Sequence, residues 1–350
     1  MKRLFTLLSI VAIAGLTLSC GGNDEKKKND GAVKKAEAPQ RQGYDDVHPP
    51  LYGDVESITC RRYELEEKFG ETVKSEIKYV EEYTFNQRGD VIEYAKYDSN
   101  GRMDSKIITK YDSMGNTTES AVYNSDGSLR GKVLYKYDSE SNLTERTHYN
   151  PDGSLKEKHL NKYDSDGNRI HYTYHNTDVH SNSEHSYKYD STGNMIEGTV
   201  YNSDGSLRGK TINKYDSAGN KIESDYYNSD GTLDRKWLCK YNSAGKMIEW
   251  AEYMSDGGLE YKILYTYDHA GNTNEITLYD SDGGLVSKDL YKYNSTGKVI
   301  EEAIYDSEDG LERKCIPKYD KRGNMVEYVW YEGEIMTPKD LTEYEIVYRD

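Results

Sequence analysis

The chain has 350 residues, of which 35% are hydrophobic and 31% charged, and its formal net charge is −16. So low an apolar share excludes a thick globular core, while 35 tyrosines exclude a disordered chain, which is poor in aromatics. The acidic balance excludes a general nucleic-acid binder, because phosphate contacts need a net basic face.

Residues 1–19 read as a signal peptide. A basic start leads into an apolar run from Leu4 to Leu18 that is too short for a comfortable membrane span. Cys20 follows at once, and "LTLSCGG" resembles a bacterial lipoprotein signal, in which the Cys is lipidated and becomes the new N-terminus. Thr17 stands where the strict pattern has Leu. The resemblance implies a membrane anchor through Cys20 at a bacterial outer membrane, on its periplasmic or outer side. Residues 20–50 continue as a polar, charged tether without an apolar period. Asp24-Glu25 within it is similar to the surface-export signals of Bacteroidota lipoproteins. The other cysteines, Cys60, Cys239 and Cys315, form no CxxC pair and no metal-ligand spacing. Cys239 and Cys315 read as small side chains on strands.

Residues 51–84 do not repeat and suggest a capping hairpin turning at Phe69-Gly70. From 85 to 331 the chain repeats every 26 residues, with Phe85, Tyr111, Tyr137, Tyr163, Tyr189, Tyr215, Tyr241, Tyr267, Tyr293 and Tyr319 opening ten copies. A second aromatic follows twelve residues on, from Tyr97 to Tyr331, and only His175 breaks that series. Both phrases, typified by "KYDSAGN" and "YNSDGSL", carry turn chemistry. Asp or Asn opens a type I turn by accepting backbone hydrogen bonds, and Gly supplies the left-handed position that starts the next strand. Segments such as "LDRKWLCKY" between the turns read as strands. Residues 332–350 suggest a closing cap.

The expected fold is therefore all-β. It is an antiparallel meander of about twenty short strands, forming an elongated or coiled single-layer sheet with capped edges; a parallel β-solenoid of 26-residue rungs is the alternative. Simple alternation from Tyr201 opposite Leu207 predicts one face with the Tyr rows and the glutamates Glu197, Glu223, Glu249, Glu275, Glu301 and Glu327. It predicts the other face to hold Lys210, Lys236, Lys262 and Lys288 with Ile212, Leu238, Leu264 and Leu290.

The phrase "KYDSAGNKIE" followed by "YNSDG" resembles the YD repeat, also called the RHS repeat, over about 85–331. That resemblance implies antiparallel strands in elongated or spiralling sheets. The largest members of the family wrap into shells around a toxin, or mediate surface contact and carbohydrate binding. This chain is more similar to the small YD-repeat lipoproteins of Bacteroidota, for which no reaction is implied. The expected function is a non-catalytic binding or structural module of the cell envelope, contacting carbohydrate or protein through its Tyr rows. A toxin-associated or enzymatic RHS-type protein is the alternative.

The repeat opening at Tyr163 is degenerate and rich in histidine. Simple alternation sets His171 opposite His185, with His159 diagonal to His171 and His175, all on the Tyr face. Four imidazoles so placed could share a metal or form a pH-sensitive patch, although sequence drift in one repeat explains them more simply. "DSDGN" (164–168) and "DSDGG" (280–284) look like starts of a calcium loop but lack its later Glu, so both read as turns. The Glu and Lys rows recur in equivalent settings, which suits solvated ladders better than one catalytic pocket. No catalytic residue, cofactor or nucleic-acid partner is expected.

Overall fold

The computed structural model describes residues 51–177, 181–333 and 335–349. Residues 1–19 and 20–50, expected as signal peptide and as lipidated Cys20 with its tether, lie outside the described residues. The first strands are β1 (Val55–Lys68), β2 (Glu71–Phe85), β3 (Val91–Asp98), β4 (Met103–Tyr111), β5 (Thr117–Asn124), β6 (Leu129–Tyr137), β7 (Leu143–Tyr149) and β8 (Leu155–Tyr163). Next come β9 (Arg169–Asn176), β10 (Ser181–Tyr189), β11 (Met195–Asn202), β12 (Leu207–Tyr215), β13 (Lys221–Asn228), β14 (Leu233–Tyr241) and β15 (Met247–Met254). The last are β16 (Leu259–Tyr267), β17 (Thr273–Asp280), β18 (Leu285–Tyr293), β19 (Val299–Tyr305), β20 (Leu311–Tyr319), β21 (Met325–Glu332) and β22 (Thr337–Tyr348).

The expectation of an open meander, or of a parallel solenoid, is overturned. Among the described residues the strands form one 22-stranded antiparallel sheet, and β1 pairs with β22 from Val55↔Tyr348 to Glu64↔Asp340. The sheet closes on itself as a β-barrel. The segments expected to cap two free edges hydrogen-bond to each other instead, which removes the edges altogether.

The turn chemistry is as the sequence implies. In "DSAGN", Asp216 Oδ1 accepts from the N–H of Ala218 and of Asn220, both at 2.9 Å. Gly219 sits at φ 84°, in the left-handed region that a Cβ disfavours. The Asp164 carboxylate of the calcium-like "DSDGN" is likewise taken up by its own turn, accepting from the N–H of Asp166 and of Asn168.

The face assignment is also corrected. Tyr215 does pair with Lys221, but the next pair is Lys214↔Glu223, so Ile222 is an unpaired bulge residue. Tyr201↔Leu207 is likewise followed by Val200↔Gly209, which skips Arg208. One extra residue per hairpin reverses the parity of every pair beyond it. Glutamates and lysines consequently share a face. Glu197 lies 2.7 Å from both Lys188 and Lys210, and Glu301 lies 2.7 Å from both Lys292 and Lys314. Glu223 is held at 2.7 Å by Lys214 and 3.1 Å by Lys236. Under these ladders runs a buried row of mostly small side chains: Ala95, Ala121, Thr147, Thr199, Ala251, Thr277 and Ala303. Lysine stems can lie over such a row while their ammonium groups stay wet. The second-phrase tyrosines belong to this face, with Lys288 Nζ 4.9 Å from the Tyr305 ring centre and Lys262 5.1 Å from that of Tyr279. The opening tyrosines belong to the other face, beside Asn213; Tyr215 and Asn213 both donate to the Met195 carbonyl, each at 2.8 Å.

The chain divides into two compact units. Among the described residues, one comprises 51–101 with Cys315–Tyr331 and 338–349, and it holds an apolar cluster of Leu51, Val55, Ile58, Tyr83 and Phe85. The other, Arg102–Lys314 with Glu332–Thr337, carries most of the repeats. Cys60, Cys239 and Cys315 are buried, and burial pushes the pKa of the Cys60 thiol up to about 12.

Candidate functional site

The histidine quartet does not form as the sequence suggested. His185 pairs with Tyr172 and His171 with Ser186, while His159 pairs with Tyr174 and His175 with Lys158. The register between β9 and β10 runs without a shift from Ser181↔Asn176 to Ser186↔His171, one residue away from the register that simple alternation gives. The four residues divide two and two. His159 and His185 share one face with Tyr172, whose ring centre is 5.9 Å from that of His159 and 5.0 Å from that of His185. His171 and His175 lie on the opposite face, where His175 Nδ1 meets Asn182 Oδ1 at 2.5 Å.

The structure brings His159 together with two residues that sequence reasoning missed, His148 and Glu157. On β7 and β8 the register sets His148 opposite Glu157 and Arg146 opposite His159. "RTH" (146–148) and "EKH" (157–159) thus present four polar side chains on one face as a two-by-two block. A search for i, i+2 pairs on neighbouring strands, made with the bulge in place, would have found them. His148 Nδ1 lies 3.2 Å and His159 Nε2 3.4 Å from the same Glu157 oxygen, Oε1. The other oxygen, Oε2, accepts from the Tyr174 hydroxyl at 3.3 Å and from Asn176 Nδ2 at 3.4 Å. Arg146 Nε donates to His148 Nε2 at 2.8 Å. Because Arg can only donate, the His148 proton resides on Nδ1, facing Glu157. His159 Nδ1 is 2.7 Å from the Tyr172 hydroxyl. Burial, and then the Arg146 charge, hold His148 below the ordinary histidine range, so it is neutral near pH 7.

No protein-family model matches the chain, and no curated protein matches it. Solved structures give distant similarities. The chain is 12% identical to a TcdB2-TccC3 structure over 85% of its own length and 20% of that chain, with a TM-score of 0.31. A second TcdB2-TccC3 structure, lacking the hypervariable C-terminal region, is 14% identical over 74% of this chain and 15% of its own, with a TM-score of 0.30. A porin-like protein from Bacteroides uniformis is 9% identical over 85% of this chain and 99% of that one, with a TM-score of 0.29. The chain is a repeat β-protein, and it spans about a fifth or less of the TcdB2-TccC3 chains it matches.

Two further groups occupy the same face. Tyr226, Trp237, Trp250 and Tyr261, from four successive strands, form a row with ring centres 6.3, 6.0 and 5.1 Å apart. Glu252 and Arg235, 3.3 Å from each other, flank it. Asp289, Tyr291 and Glu302 form a buried acidic group, in which Tyr291 donates to Glu302 Oε1 at 3.4 Å. Glu302 Oε2 has no hydrogen-bond partner among the described residues.

Proposed function

We propose that this protein is a cell-envelope lipoprotein, anchored through a lipid on Cys20, that acts as a non-catalytic binding module for glycan or envelope protein. The aromatic row from Tyr226 to Tyr261 carries this reading. Amphipathic rings in series, bordered by an acid and a guanidinium, suit stacking on sugar faces with hydroxyls bonded at the margin. The N-terminal sequence supports the anchor.

Both sheet faces carry charge or polar groups at mid-strand: Glu223 and Lys236 on one, Asn213 and Glu302 on the other. A lipid-facing barrel needs an outward apolar band, so the reading is of a barrel attached to the membrane by its tether. No helix among the described residues is long and apolar enough to cross a membrane.

The test pairs a glycan array with an envelope-protein pull-down, comparing the wild-type chain with Trp237→Ala/Trp250→Ala. Binding that the double variant loses supports the proposal. Turnover of a glycan or peptide by the pure protein would replace it with an enzymatic reading. For the anchor, fatty-acid labelling in cells should vanish in Cys20→Ser.

A further inference from the structure

We propose that His148, Glu157 and His159 form a binding site for a divalent transition cation of the zinc type. This goes beyond the binding role above and involves different residues. Two imidazoles and a carboxylate are a donor set that zinc accepts, leaving one position open to water or a ligand.

The geometry is nearly assembled. Zinc bonds to N and O donors of about 2.0–2.1 Å imply donor–donor edges of roughly 3.3–3.4 Å in a tetrahedron. The two edges at Glu157 Oε1 measure 3.2 and 3.4 Å. All three donor atoms lie within 4.8 Å of one another, so small side-chain rotations bring the imidazoles together. The surrounding groups also suit a ligand set. Tyr172 holds His159 Nδ1 and turns Nε2 toward Glu157. Tyr174 and Asn176 hold the far carboxylate oxygen. Such outer partners orient ligands in metal sites. The side chains of His148, Glu157 and His159 are 23, 17 and 16% exposed, which leaves an ion a route in. A pocket of about 280 Å³ lined by Val122, Gly131 and Val133 opens beside His148.

Without an ion, the two imidazole N–H groups point at one carboxylate oxygen, and Arg146 occupies the far nitrogen of His148. Binding requires both rings to change tautomer. His159 then donates from Nδ1 to the Tyr172 oxygen. His148 carries its proton on Nε2, so Arg146, whose side chain is 41% exposed, must turn away. Arg146 is therefore a competitor of the cation.

The experiment uses the chelator-stripped full chain, titrated with Zn²⁺ by calorimetry and with Co²⁺ by visible absorption. One cation should bind per chain, with the d–d bands of a four-coordinate N/O site and without a thiolate charge-transfer band. His148→Ala/His159→Ala should lose that cation, and Glu157→Gln should weaken it by more than about tenfold. Tyr172→Phe should weaken it by about tenfold, and Arg146→Ala should tighten it. His171→Ala/His175→Ala, on the opposite face, should change nothing. Metal-free circular dichroism and melting temperature check that each variant folds. If the double histidine variant does not fold, Glu157→Gln and Arg146→Ala decide. No uptake by the wild-type chain, or uptake unchanged in Glu157→Gln, would reduce the cluster to a hydrogen-bonded triad and overturn the proposal.

Discussion

The hydroxyl of Tyr215 donates to the main-chain carbonyl of Met195 at 2.8 Å, across 20 residues of sequence. Tyr163 reaches Leu143, Tyr189 reaches Arg169, Tyr241 reaches Lys221 and Tyr293 reaches Thr273 over the same separation. These five opening tyrosines thus tie their repeats to the ones before, which gives the hydroxyl a role that Phe could not fill there. Burial, with the charges of Asp190 and Tyr189, pushes the Tyr215 phenol up to about 12. Tyr215→Phe should keep the ring packing and leave the carbonyl short of a donor, lowering stability by about 1 kcal/mol. Denaturant unfolding should show the midpoint fall with its slope unchanged.

Ser141 occupies, at φ 64°, the turn position that Gly219 fills at φ 84°. A left-handed conformation costs a non-glycine residue on the order of 1 kcal/mol. Ser141→Gly should raise stability by about that amount, less the contact that Asn116 makes to the Ser141 hydroxyl at 3.3 Å. Thermal melting of the single variant reads this directly, and no increase would mean the turn carries no strain.

The β1–β22 pairing is reinforced by Asp340, which accepts from Arg62 at 3.1 Å and from Lys78 at 2.6 Å. Burial raises the Asp340 carboxyl, but these two cations outweigh it and hold the group below its ordinary range. Asp340→Ala should leave two cations facing each other at the closure, costing about 2 kcal/mol after allowance for solvent around Lys78. Hydrogen exchange should quicken first along β1 and β22. Uniform quickening across the repeats would count against a local role.

Stability should fall as pH rises above mildly acid values. Burial, with the charge of Asp289 added, pushes Glu302 up to about 8, although Tyr291 and Arg313 act against it. Burial pushes Asp289 itself up to about 6. Unfolded carboxyls titrate near 4. Between there and about pH 8 the folded chain keeps a proton that the unfolded chain has released, so raising pH favours unfolding. Glu197 and Glu301 have the opposite sign: hydrogen bonds from Lys188 and Lys292, reinforced by Lys210 and Lys314, depress them. Their contribution is present above the unfolded value and is lost as pH falls through the folded one. Glu302→Gln should flatten the decline between about pH 5 and 8. An unchanged slope in that variant would remove Glu302 as its source.

The repeat, the turns and their residues were legible in the sequence because each depends on local chemistry, Asp216 and Gly219 being the clearest case. Closure was not, because whether β1 meets β22 depends on curvature summed over every hairpin, which no single segment encodes. The face assignment failed for a smaller reason. Ile170, Ile196, Ile222 and Ile300 are bulge residues, 39, 37, 36 and 43% exposed. They read in the sequence as ordinary strand positions. Counting Ile222 as paired put Lys214 on the side away from Glu223, and counting Arg208 and Lys156 as paired separated Lys210 from Glu197 and hid the pairing of His148 with Glu157.

The 26-residue unit also has an arithmetic consequence. Each copy adds two strands and one bulge at either turn, so a copy gained or lost leaves the first and last strands antiparallel and every side chain on its former face. An antiparallel ring needs an even number of strands, and this unit preserves evenness automatically. Gene duplication or deletion in register would therefore resize the ring by whole hairpins without breaking its seam, whereas an insertion of a single strand would set β1 and β22 running the same way.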